Sequence, residues 1–90
     1  MQEPEHDEAL VNLHLERISA LSISAFDGAD VDEELRQVVG EAVRQCGGGG
    51  NREVLIARLR DRATAAQREG QAEVSDTFDK AIRLAGAAGS

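Results

Sequence analysis

The sequence predicts an all-α protein: a small bundle of three to four antiparallel helices, expected to pair as a dimer. Three observations lead there. Apolar residues recur at i, i+3, i+4 and i+7 along successive stretches, the spacing of one helix face. Glycines break those stretches at short intervals, so consecutive helices must turn back on one another. Only Leu21-Ser22-Ile23-Ser24-Ala25 alternates with period two, and no second stretch exists to pair with it as a sheet.

Ninety residues make one domain. Residues 1–8 read as an acidic tail, 9–86 as the helical domain and 87–90 as a fraying Ala/Gly/Ser tail. The first helix runs from Ala9 to about Ser24. Val11, Leu15 and Ile18 share one stripe, with Leu10, Leu13 and Leu21 beside it, a surface broad enough for contact on two sides. Phe26-Asp27-Gly28-Ala29 reads as a turn. Asp30 and Glu33 have capping-box spacing, and Asp32, Glu33 and Glu34 suit the positive end of a helix dipole. The second helix carries the cleanest amphipathic pattern: Leu35, Val38, Val39, Ala42, Val43 and Cys46. Gly47 is expected to end it. Asn51 is expected to cap the third helix, whose stripe is Leu55, Leu59, Ala63 and Ala66 and which stops at Gly70. The fourth runs from Gln71 to about Ala85, with Val74, Phe78, Ala81, Ile82 and Ala85 inside and Gly86 ending it.

Composition explains the expected dimer. The chain has 14 alanines, and Phe26 and Phe78 are its only aromatic residues. A domain of this size hides only ~60% of its unfolded surface, and a thin core is often completed by oligomerisation. Nine arginines against one lysine, with much Ala and Gly, suggest a GC-rich bacterial coding bias.

The start of the chain is acidic and has no apolar run of signal-peptide length. The longest uninterrupted one is Val54-Leu55-Ile56-Ala57. The expected location is the cytoplasm, which also suits a free thiol at Cys46. Net charge is −7 and lies mostly in the first half. Nucleic-acid affinity rests on neutralising phosphates, so that balance disfavours DNA or RNA as a partner, and no membrane partner is expected.

The chemistry-bearing residues form no catalytic constellation. His14 has Leu10, Val11, Arg17 and Ile18 at the helical ligand spacings, none of them a fitting metal partner, and His6 lies in the tail. A calcium loop begun at Asp30 would place Leu35 where a sharp turn needs Gly. The Gly47–Gly50 run precedes a helix but lacks the Gly-Lys-Ser/Thr ending of a phosphate loop. No serine sits in a nucleophile elbow. No catalytic, metal or cofactor residue is therefore expected, and the protein reads as a non-enzyme acting by surface recognition. Two surfaces are candidates. One is a basic edge at Arg58 and Arg62, suited to an acidic partner face. The other is the first-helix stripe at Leu10, Leu13 and Leu21.

Residues 33–85 also resemble the AriR/YmgB-type biofilm regulators and two-component connector proteins. The likeness rests on Glu34, then Val39-Gly40-Glu41-Ala42-Val43, a Gly-rich break, Asn51-Arg52 leading into Val54, Leu55, Ile56 and Leu59, and a last helix with Asp76, Phe78, Ala81, Ile82 and Leu84. It implies a small all-α dimer that regulates signalling proteins, with DNA binding proposed for some members. The leading expectation is a regulatory adaptor working through helix-mediated protein contact, in biofilm or two-component signalling. The alternatives are a nucleic-acid-associated transcriptional regulator using the Arg-rich third helix, and an accessory subunit of a larger complex.

Overall fold

The computed structural model describes residues 8–45 and 50–88. Among these residues there are four helices and no strand: α1 (Glu8–Phe26), α2 (Asp32–Gln45), α3 (Asn51–Arg68) and α4 (Ala72–Ala88). Cross-helix pairs give the directions. His14 meets Gln45 and Arg17 meets Glu41, so α1 and α2 are antiparallel. The chain then runs up, down, up and down. α4 packs on all three other helices, and so does α1, whereas α2 and α3 make little direct contact. The α1–α4 pair is thus the spine, with α2 on one flank and α3 on the other.

Each helix buries the stripe that its spacing marks. Val11, Leu15 and Ile18 from α1 meet Leu35, Val39 and Ala42 from α2. They also meet Leu55, Leu59 and Ala63 from α3, and Phe78, Ala81 and Ala85 from α4. Ala81 and Ala85 have no solvent exposure. Small side chains there let the neighbouring backbones come close, which is how α4 reaches three helices.

The turns follow from glycine. After α1, Gly28 takes φ +99°; its N–H bonds the Ala25 carbonyl and that of Ala29 bonds the Ser24 carbonyl. After α3, Gly70 takes φ +74°; its N–H bonds the Gln67 carbonyl and that of Gln71 bonds the Ala66 carbonyl. Both are Schellman closures, satisfying carbonyls that the helix leaves open.

Several boundaries differ from expectation. Glu8 lies within α1. Gly86 does not end α4, which continues to Ala88; Gly86 is not among the positive-φ glycines, and a glycine stops a helix by adopting that conformation. Asn51 does not cap α3. It lies inside the helix, and the cap is Gly50 at φ +78°, which has no side chain to offer. Asp30 accepts a hydrogen bond from the Asp32 N–H at 3.1 Å. The reciprocal Glu33 bond of a capping box is not seen among the described residues. The proposed stop at Gly47 and the placement of Cys46 fall outside the described residues.

Leu59 has no solvent exposure, whereas Leu13 is 53% exposed. Leu59→Ala is expected to cost about 2–5 kcal/mol in urea unfolding, since it opens a cavity among packed neighbours. Leu13→Ala should leave the unfolding of the single chain nearly unchanged.

Candidate interaction surface

α1 is apolar on two opposite faces. Its inner face is Val11, Leu15, Ile18 and Ser22, all buried. Its outer face is Ala9, Leu13, Glu16, Ala20 and Ile23, all exposed. Both series step by four and three residues, the repeat of a helix seam that meets another helix. Among the described residues, the exposed large apolar side chains are Leu13, Ile23 (61%) and Phe26 (52%), and all belong to α1. The outer series carries one charge, Glu16, in a chain of net charge −7. Leu10 and Leu21, expected to share this surface with Leu13, are half-buried instead, and Leu21 packs against the core.

A groove of about 470 Å³ adjoins the C-terminal half of this face. Ile23 and Phe26 form one wall, Val74 and Phe78 contribute apolar surface from α4, Arg62 comes from α3 and Glu69 from the residue that follows it. Ser19 lines it too, and its hydroxyl is buried without a hydrogen-bond partner. Sequence spacing alone did not reveal this groove, because it is made where three helices meet.

The two arginines of the expected basic edge have different surroundings. Arg58 donates through Nη1 to Asn12 Oδ1 at 2.8 Å and through Nη2 to Glu8 Oε1 at 2.6 Å, tying α3 to the start of α1. Its hydrogen bond to Glu8 pushes the guanidinium pKa further up. Arg62, one turn later, makes no ion pair among the described residues and stays at the groove. Glu8 and Arg58 lie 50 residues apart in sequence, so no local signal marked this pair.

A second polar link joins α1 to α2. Arg17 pairs with Glu41 at 3.0 Å, the Gln45 amide nitrogen donates to Glu41 at 3.3 Å, and Gln45 Oε1 lies 3.1 Å from His14 Nε2. Because the amide nitrogen faces Glu41, its oxygen faces His14, and Nε2 is the protonated ring nitrogen. His14 is fully buried and its Nδ1 has no partner. Among the described residues, no group of three or more His, Cys, Asp or Glu is arranged to hold a metal ion, and no helix is long and apolar enough to cross a membrane.

No protein-family model, curated protein or solved structure matches the chain.

Two outcomes follow from these charges. Arg58→Glu sets a carboxylate against Glu8 and should lower the unfolding midpoint, whereas Arg62→Glu should not; thermal melts of the two variants test this. The exposed Lys80–Asp32 pair, 2.8 Å apart, tests the pH dependence. The Lys80 hydrogen bond and charge hold the Asp32 carboxyl below its ordinary 3.8, and the same contact raises the Lys80 ammonium above 10.5. The pair's contribution is therefore complete between those values. It is lost as pH falls through the lowered Asp32 value, and again as pH rises through the raised Lys80 value. The stability gap between wild type and Lys80→Met should be flat from roughly pH 5 to 9 and close at both extremes.

Proposed function

We propose that the protein is a small non-enzymatic regulatory adaptor that works as a homodimer through helix-mediated contact. The observation that carries this reading is the outer face of α1: a four-three seam of exposed, nearly uncharged residues on an acidic protein. A helix apolar on both sides calls for cover on both sides, and its inner side is already covered by the bundle.

A second copy fits that seam. Laid antiparallel about its middle, Leu13 meets Ala20 of the second copy, large against small, as interdigitating layers require. Two bodies of net charge −7 repel; the outer face of α1 brings together one charge from each copy, Glu16, and salt screens that contact. The groove beside the seam, with Arg62, is the surface left for a client protein. The likeness of residues 33–85 to biofilm regulators and two-component connectors supports a signalling role in a bacterial cytoplasm. The nucleic-acid reading has less support, because Arg58 is already held by Glu8 and Asn12.

Light scattering of the full chain at micromolar concentration should give about twice the chain mass of 9.6 kDa. Added salt should strengthen the association by screening like charge, whereas nucleic-acid binding would weaken. Leu13→Glu with Ile23→Glu should give a monomer of unchanged helix content. A monomeric wild-type chain would overturn the homodimer and turn the same face toward a foreign subunit.

A further inference from the structure

The bundle has a second groove, of about 380 Å³, between α2 and α4. It involves no residue of α1, so it stands apart from the self-association surface. Its lining combines Leu35, Leu84 and Ala87 with three cations, Arg36, Lys80 and Arg83, and one acid, Asp32. In a chain of net charge −7 this is a local reversal of sign. No run of basic residues produces it. Arg36 comes from the start of α2 and Arg83 from the second half of α4, 47 positions later in sequence.

The cations are not equivalent. Lys80 is engaged by Asp32 and also feels Asp76 and Asp30, so its charge is largely answered. Arg36 adds to the field on Asp32, but neither Arg36 nor Arg83 makes an ion pair or side-chain hydrogen bond among the described residues. α2 and α4 run parallel. Asp30 and Asp76 therefore lie toward the beginnings of the two helices, and Arg36 and Arg83 lie further along. Asp32 and Glu33 precede Arg36 by four and three positions and Asp79 precedes Arg83 by four, yet none of them bonds either arginine. Two exposed guanidinium groups thus flank an apolar surface with no acid of the protein bonded to them.

We propose that this groove binds a small organic anion: a carboxylate or phosphate on an apolar body. Guanidinium groups bond both anions in bidentate fashion and shed water more readily than ammonium groups. Leu35, Leu84 and Ala87 take the apolar body. The apolar walls concentrate the field of the two guanidinium groups, which draws the anion in. Bound there, the ligand bridges α2 to α4, reinforcing the contact that Lys80 and Asp32 already make.

The test is a nitrogen–proton NMR titration of the full chain with four probes: octanoate, octyl phosphate, 1-octanol and inorganic phosphate. Octanoate, octyl phosphate or both should shift the signals of Leu35, Leu84 and Ala87, and which of the two binds identifies the head group. The alcohol lacks the charge and inorganic phosphate lacks the body, so each should bind at least about tenfold more weakly, as expected when one main contact is lost. Arg36→Gln with Arg83→Gln should weaken the anion by at least about tenfold, at unchanged helix content. Arg60→Gln on α3 should leave it unchanged. If the double variant loses helix content, the two single variants carry the test, each expected to weaken binding. Equal binding of 1-octanol, shifts confined to the groove at Phe26 and Val74, or an affinity that survives loss of both arginines overturns the proposal.

Discussion

Among the described residues, the hydrophobic core contains one phenyl ring, Phe78, and is otherwise built of Val, Leu, Ile and Ala. Side chains of that size fill space only if the helices approach closely, and α4 makes this possible. Ala81 and Ala85 present almost no bulk at its centre, so α1, α2 and α3 can all rest against it. Polar groups then set the register of elements that apolar packing alone would let slide. Arg58 fixes α3 against the start of α1, Lys80 fixes α4 against the start of α2, and the Arg17–Glu41–Gln45–His14 chain fixes α2 against α1. The surface pairs among these are individually weak. Their value is that each joins a different pair of helices.

Close packing around α4 has a cost at α1. With α4 satisfied by three neighbours, no other helix among the described residues covers the far side of α1. Leu13 and Ile23 stay in water, and Phe26 stands at the edge of a groove. The apolar outer face of α1 and the thin core are therefore two aspects of one shortage. The helices lack enough bulk for a closed single-chain interior, and the surplus apolar surface gathers on one helix.

Helix spacing and glycine made most of the architecture legible. The stripes of α2, α3 and α4 pointed to Leu35, Leu59 and Phe78 as interior residues, and Gly28 and Gly70 marked two turns. What stayed hidden was whatever depends on two distant segments meeting. The Glu8–Arg58 pair, the burial of His14 against Gln45, and the convergence of Arg36 and Arg83 have no local signature. Each requires the packing arrangement before it exists. Local chemistry also misled where position within a helix decided the outcome. Asn51 has the side chain of a cap but lies one residue inside α3, and Gly86 can stop a helix but keeps the conformation of its neighbours.

The flanking placement of α2 and α3 divides the molecule's cooperativity. α2 rests on the spine through Leu35, Val39 and Ala42 and touches α3 little, so it can detach without dismantling the α3–α4 hairpin. Such a sub-global opening would bare His14 and the side of α1 that faces α2, while Leu55, Leu59 and Ala63 stayed packed on α4. Amide protons of α2 would then exchange with solvent at a lower free energy than those of α3 and α4. The protein would have two layers of stability, a more durable hairpin and a more readily released second helix.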